Sequence, residues 1–378
     1  MGLLVNDIRI NDEQNLFAVS TDAGLRLFWV YPLRQLIKLN VEDIGTLKFC
    51  SLHATSNLLA MAALPLVSTG FEREPFFIVG GDHLAVELSL SIMKIWNQKS
   101  KKFIGMFNLT KPVRNVIMTD RLFIAIMDRQ INIYSFPVGN TVYGRFITAY
   151  NPNGFGVISE EGHKQVFVFP GQKSGTVEIV NLQELSLDQS EHFNPSLISI
   201  NSTEIAGLAM NKEGTLIAIG CHSGRIIKLF DVRARDLIND LWRGSDPAIF
   251  HCIRFSRCSS FLGVTSDKDT IHIFKISLDK FDQRRTSGVL QNIGLSNDSA
   301  IRSFAKFTLP SPTVVELIFP SSSRGDSNTK KDCGSLIAIC SNGHYFRLEF
   351  NLDGSVKLVD FDLYFETGNE QSFFDINN

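Results

Sequence analysis

The stretch LIAIGCHSGRIIKLF (residues 216–230) is an apolar strand, a turn carrying Ser223 and Gly224, and a second strand that alternates apolar and polar residues and ends in an aromatic. The same phrase returns along the chain. It reads FAVSTDAGLRLFWV at 17–30, LSLSIMKIW at 88–96, LFIAIMDRQINIY at 122–134 and VFVFPGQKSGTVEIV at 166–180. Two further copies are FLGVTSDKDTIHIF at 261–274 and LIAICSNGHYFRLEF at 336–350, making seven. From Trp96 through Tyr134, Val180 and Phe230 to Phe274 the steps are 38, 46, 50 and 44 residues, the size of a four-stranded propeller blade. Period-2 alternation with β-branched and aromatic residues marks strands, and no long helical period is present. The reading is an all-β chain forming one seven-bladed β-propeller over residues 1–378, with four-stranded antiparallel blades. Two β-sandwiches in series would also give many short strands, but not seven similar hairpins.

Composition narrows the function classes. At 378 residues and 44% hydrophobic the chain can bury a large core. Its 37 Lys+Arg against 39 Asp+Glu create no global field that would steer it to nucleic acid or membrane, so any anion site is local. The six cysteines are dispersed without CxxC spacing, which suits reduced thiols better than a disulfide framework. His251, Cys252 and Cys258 form no zinc set, because adjacent strand residues point to opposite faces and no second ligand pair is near. The start MGLLVNDIRI has neither a charged region nor a long apolar core, and Asn6 stands where myristoylation favours Ser or Thr. The longest apolar run, 58–67, contains Pro65 and is too short to span a bilayer. The expectation is a soluble cytoplasmic monomer without metal or cofactor. No nucleophile elbow, carboxylate dyad or phosphate-cradling glycine loop marks an enzyme.

Insertions in a compact repeat land in loops. One, at 63–87, interrupts the second hairpin, and two others, at 277–301 and 321–334, precede the seventh. The last of these is a polar surface loop whose RGD triplet carries no adhesion reading in a chain without a secretion signal.

The Gly-His and Trp-Asp dipeptides of common propeller repeats are missing at these hairpin ends. At LWRGSDPAIFHCIRFSRCSSFLGVTSDKDTIHIFKI (241–276) the sequence instead resembles the PROPPIN or WIPI family, β-propellers that bind polyphosphoinositides and act in autophagy. IGTLKF, SNLLA, KPV, IYSFP, VFPGQKSGTV and GTLIAI extend the resemblance in blade order, and KFC, FPG and SDPAIFHC resemble the branch called WIPI three and four. The family motif is Phe or Leu, Arg, Arg, Gly, with its arginines serving two headgroup pockets. Here it reads Leu241, Trp242, Arg243, Gly244, so the first arginine is gone. The resemblance assigns Arg243 and Gly244 to the second pocket with Ser266, Thr270 and His272, the last two sharing a strand face. Taken alone, Arg243 reads as a surface arginine paired with Asp246 or Asp240, and His272 as a hydrogen-bonded strand histidine. The first pocket is degenerate. Where the family has Ser, Ser, Gly, Thr and Arg, this chain has Ile219, Cys221, Gly224, Arg225 and Lys228, with Asn201 near the family's histidine and Trp242 adding bulk.

Between Arg225 and Arg285 there are 12 Lys+Arg and 8 Asp+Glu, a local balance of +4 against −2 for the whole chain. The stretch 279–301 places KFDQRR before Val289, Leu290, Ile293 and Leu295, a pattern suited to basic contact with phosphates and apolar insertion. An ordinary loop with scattered hydrophobes reads the same way. The resemblance implies membrane insertion for this blade-six loop. It also implies binding to a large autophagy lipid-transfer protein through early blades, where Asn11 matches a family contact residue and Glu13 stands in place of Asp. A polar turn between strands would need the same residues. The favoured function is a non-catalytic effector reading phosphatidylinositol 3-phosphate or 3,5-bisphosphate on autophagic or endolysosomal membranes. The alternative is a protein-only scaffold.

Overall fold

The structure is a computed structural model that describes residues 3–53, 58–63, 90–137, 141–159, 165–185, 195–200, 204–276, 300–310, 314–320 and 334–366. Among the described residues, twenty-nine strands form seven sheets. Blade one is β1 (Val5–Ile10), β2 (Leu16–Thr21), β3 (Gly24–Trp29) and β4 (Arg34–Asn40). Blade two is β5 (Leu47–Leu52), β6 (Leu58–Ala63), β7 (Ile92–Asn97) and β8 (Lys102–Asn108). Blade three is β9 (Val113–Met118), β10 (Leu122–Met127), β11 (Gln130–Ser135) and β12 (Val142–Ile147). Blade four is β13 (Val157–Ile158), β14 (Val166–Pro170), β15 (Thr176–Asn181) and β16 (Ser196–Ser199). Blade five is β17 (Ile205–Met210), β18 (Leu216–Cys221), β19 (Ile226–Asp231) and β20 (Leu237–Trp242). Blade six is β21 (Phe250–Phe255), β22 (Phe261–Ser266), β23 (Thr270–Lys275) and β25 (Ala305–Thr308). Blade seven is β26 (Val314–Ile318), β27 (Ser335–Cys340), β28 (His344–Phe350) and β29 (Val356–Leu363). The fold is a seven-bladed β-propeller of four-stranded antiparallel blades. Six of the quoted phrases are the two middle strands of a blade. In blade two the hairpin is split between β6 and β7, and the quoted copy covers only β7.

Burial explains the sequence pattern strand by strand. The second strand of a blade packs on both faces, so β10 and β18 are buried at every position and read as unbroken apolar runs rather than as alternation. The fourth strand is an edge, and β8 and β29 are exposed along most of their length.

The chain divides into two compact units. The first holds residues 1–154, 185–192 and 363–378, with blades one to three; the second holds 155–184 and 193–362, with blades four to seven. In the first unit, Leu27, Leu47 and Met61 belong to one core between blades one and two, and Met93, Phe107 and Phe123 to another between blades two and three. In the second unit, Ile217, Ile219 and Phe230 face Val168 and Ile198 of blade four. The opposite face of blade five sets Ile227, Leu229 and Leu241 against Phe250, Val264 and Phe274 of blade six. Ile271 and Ile273 pack against Leu317, Leu336 and Phe346 of blade seven.

Blade five departs from the four-strand plan. A two-residue strand, β24 (Ile301–Arg302), runs parallel to β20 with Leu241 opposite Ile301 and Trp242 opposite Arg302. The cysteine expectation also needs correction. Cys50, Cys221, Cys252 and Cys340 are buried and outside any disulfide, but Cys258 is disulfide-bonded, a pairing that no spacing motif announces.

Candidate functional site

Alternation along β20 sorts the motif onto two faces of blade five. Leu241 is fully buried toward blade six, so Asp240 and Trp242 stand on the other face and Arg243 returns to the Leu241 side. The Arg243 amide donates to the Arg225 carbonyl at 2.8 Å, extending the ladder one residue past β20. The guanidinium then turns inward and is only 6% exposed. Its Nε donates to the Gly224 carbonyl at 2.6 Å and one Nη to the Asp246 carbonyl. Burial lowers its pKa, while the charges of Asp267 and Asp246 pull it back up. The surface-pair reading is therefore superseded. Arg243 bonds the backbone of Asp246, and Asp240 pairs with Lys228 instead.

Gly224 makes this junction possible. Its φ is +67°, and a Cβ there would lie 1.8 Å from the Ala248 carbonyl oxygen. The turn before β19 and the chain after β20 are thus in direct contact, joined by Ala248 N–H to Ser223 O at 3.2 Å. Gly244 differs, since a Cβ there would meet nothing within 4 Å. Its space is open.

Blade six supplies the facing groups. The Asp267 amide donates to the Ile249 carbonyl at 2.9 Å, and the Asp267 carboxylate accepts from the Ile249 amide at 2.9 Å. The β22–β23 turn is thereby fixed to the chain that follows Arg243. Ser266 is buried and its Oγ accepts from the Lys268 amide at 3.3 Å. Across the sheet, Thr270 lies opposite Thr308 and His272 opposite Lys306, on the face that also carries Val264 and turns toward blade five. Ser303 Oγ is 3.1 Å from His272 Nδ1. Burial, then the charges of Lys306 and Arg243, push the His272 pKa down to about 4. At neutral pH the imidazole is uncharged, with one nitrogen able to donate and the other to accept. The structure thus brings Arg243, Ser266, Thr270 and His272 to one junction and adds Ser303, Lys306 and Thr308. Sequence reasoning missed these three because they lie at or beyond the end of the 277–301 insertion; the β23–β25 pairing sets Lys306 opposite His272 and Thr308 opposite Thr270, and Ser303 reaches His272 from just before β25. The alternation of AKFT (305–308) was the available signal.

The other face of blade five carries the remaining motif residues. Lys228 Nζ bonds Asp240 Oδ1 at 2.9 Å, directly across the β19–β20 ladder. Cys221 and Ile219 are buried toward blade four. The Arg302 guanidinium lies 4.1 Å from the Trp242 ring centroid, a cation–π stack between β20 and β24. Arg225 is exposed and stands at an odd spacing from Lys228, so alternation separates it from the Trp242 face. Asn201, Val289, Leu290, Ile293 and Leu295 lie outside the described residues.

In the first unit Asn11 is buried and its carboxamide closes the β1–β2 turn. Oδ1 accepts from the Asn15 and Leu16 amides at 3.0 and 2.9 Å, while Nδ2 donates to Asn15 Oδ1 at 2.7 Å. Glu13 accepts from Asn15 Nδ2 at 2.7 Å and remains at the surface. Of the two residues, Glu13 is the one at the surface and Asn11 is turned into the loop. Among the described residues no cluster of His, Cys, Asp and Glu could hold a metal, and no helix is long and apolar enough to cross a membrane.

No family model matches the chain. The "Ectopic P granules protein 6" of Caenorhabditis elegans is 30% identical over 377 residues, covering 98% of this chain and 90% of the relative. The chain belongs to the PROPPIN family. The Dictyostelium discoideum "Autophagy-related protein 18" is 30% identical over 270 residues, 71% of this PROPPIN and 64% of that protein. The solved structure of Kluyveromyces lactis Hsv2 covers 96% of the chain and 100% of its own at TM-score 0.68 and 18% identity. A KlAtg21 structure in complex with the coiled-coil of AgAtg16 covers 95% of this chain and 99% of its own, with TM-score 0.69 and 16% identity. A family of propeller proteins with autophagy-related relatives is thus the setting in which the blade-five and blade-six junction has to be interpreted.

Proposed function

We propose that this PROPPIN is a non-catalytic autophagy effector that binds phosphatidylinositol 3-phosphate, 3,5-bisphosphate or both, through the junction of blades five and six. The observation that carries this reading is that Ser266, Thr270, His272 and Thr308 share the blade-six face turned toward blade five, while the chain that follows Arg243 is bonded to the β22–β23 turn of the same blade. Hydroxyls, a neutral imidazole and backbone amides beside fixed positive charge are the groups that satisfy phosphate oxygens. The degenerate opposite face leaves this junction as the main headgroup site. Val289, Leu290, Ile293 and Leu295 supply a second, apolar membrane signal. The protein acts peripherally on autophagic or endolysosomal membranes and recruits a large lipid-transfer autophagy protein through the rim of the β1–β2 turn. A protein-only scaffold is the second reading. It is favoured by the engagement of the Arg243 guanidinium with two backbone carbonyls.

Liposome flotation across the phosphoinositide series separates the two. Selective flotation with 3-phosphorylated lipids, lost on Thr270→Ala with His272→Ala, supports the headgroup site. No flotation with any phosphoinositide would leave only the scaffold. A soluble headgroup should titrate with a stoichiometry near one.

A further inference from the structure

We propose that blade one carries a site for an acidic peptide, in which Arg26 and Lys38 share one carboxylate and Glu42 accepts an N–H of the same segment. The site uses none of the residues given above to the headgroup or to the lipid-transfer partner, and Glu13 lies in the turn at the other end of these strands. Antiparallel pairing sets Arg26 of β3 directly opposite Lys38 of β4. Like charges so placed repel. Among the described residues neither of them forms an ion pair, and Lys38 is exposed. Arg26 is half-buried, and its guanidinium meets only Phe365, whose ring centroid is 5.1 Å from Cζ and whose carbonyl accepts from Nη1 at 3.3 Å. Burial lowers the Arg26 pKa, and no carboxylate raises it again. A partly desolvated cation beside a second one gains most from an anion held between them.

Both cations line one cavity of about 160 Å³, together with Leu25, Asn40, Val41 and Glu42. Its walls are fixed locally. Thr21 Oγ1 accepts from the Ala23 amide at 3.2 Å and donates to the Gly24 carbonyl at 2.9 Å, which holds the β2–β3 turn. The single helical turn Val41–Ile44 is closed by Gly45 N–H to Val41 O at 2.8 Å. Glu42 selects the class of ligand. It has no ion pair among the described residues, and a second carboxylate disfavours a phosphate dianion. An Asp or Glu side chain instead brings one negative charge and backbone N–H groups that Glu42 can accept, while Leu25 and Val41 suit its aliphatic stem. β4 is the outermost strand of its sheet, and among the described residues its free edge pairs with no other strand. An extended segment can therefore lie along β4 while its acidic side chain enters the cavity.

The test uses the full chain and a fluorescein-labelled, terminally blocked peptide of alternating Glu and Val, followed by fluorescence anisotropy. The matching peptide of Gln and Val and inorganic phosphate serve as competitors. Lys38→Gln should weaken binding of the Glu peptide about tenfold, and Lys38→Arg should restore most of it. The Tm of Lys38→Gln should equal or exceed the parent value, because the repulsion across the ladder is gone. Lys357→Gln, at an exposed lysine of β29, should bind as the parent does. A parent chain that fails to bind the Glu peptide, or binds the Gln peptide equally well, overturns the proposal, as does a Lys38→Gln chain with parental affinity. Phosphate displacing the labelled peptide as effectively as the unlabelled Glu peptide would make this a simple anion site and overturn the peptide assignment.

Discussion

Gly224 shows how one residue can serve a site without touching a ligand. Its positive φ lets the turn before β19 lie against Ala248, and its carbonyl then faces the Arg243 side chain. Gly224→Ala puts a methyl into the Ala248 carbonyl and strains the backbone, which should cost about 2–4 kcal/mol, read as a lower denaturant midpoint at unchanged m-value. Headgroup affinity should fall with it, because Arg243 loses its anchor. A Gly224→Ala chain of parental stability would mean that the two loops are not in contact in solution. The place of Arg243 was legible in the sequence, yet its bonding was not. The family resemblance sets it on the blade-six side, but no pattern predicts that its partners are backbone carbonyls at Gly224 and Asp246. The burial of Asn11 was not legible for a related reason. A polar side chain quoted from a turn gives no sign of whether it faces solvent or closes the turn itself.

At the scale of elements, the repeated turn between the first two strands is the device that sequence reading passed over. Asn211 repeats the Asn11 arrangement, with Oδ1 accepting from the Thr215 and Leu216 amides at 2.9 and 2.8 Å. Shorter versions place Thr119 on the Leu122 amide, Ser159 on Val166 and Ser256 on Phe261. Each one satisfies the amide that begins a buried second strand. Asn211 also joins blades five and six, since its Nδ2 reaches Ser259 Oγ at 3.2 Å and Ser259 Oγ bonds Glu213 at 2.6 Å. Asn211→Ala leaves two amides without their acceptor and should cost about 2–3 kcal/mol. Hydrogen exchange resolved by segment would show the loss concentrated at Leu216 and the start of β18; uniform loss across all blades would count against a local role. The second and third strands were readable because packing on both faces makes them apolar and their turns are short. First strands such as the two-residue β13 carry too little pattern to be seen, and β24 and β25 are hidden behind a long insertion.

Over the whole molecule, seven similar hairpins were enough to give the architecture, because within each unit neighbouring blades pack face to face and force the same apolar pattern on successive hairpins. The surfaces proposed for function draw on different residues, and they should fail separately. Leu290→Asp with Ile293→Asp should abolish vesicle flotation while soluble headgroup binding changes less than about twofold, since the two signals are separate contributions. Glu13→Lys should weaken capture of the lipid-transfer partner with flotation intact. Loss of headgroup binding in the Asp double variant would instead make the insertion part of the pocket. The parallel strand β24 has a consequence of a different kind, for the order in which the chain can assemble. Among the described residues, the first pairing after β23 is on blade five at Ile301 and Arg302, and only Ser303 and Phe304 separate it from β25. The entropy of closing that excursion, which grows as the logarithm of its length, is met first by docking on β20 and Trp242. The final strand of blade six then has a two-residue gap to cross. The outer edge of blade five thus offers a ready template for the last strand of blade six, and an order in which blade five forms first matches synthesis from the N-terminus.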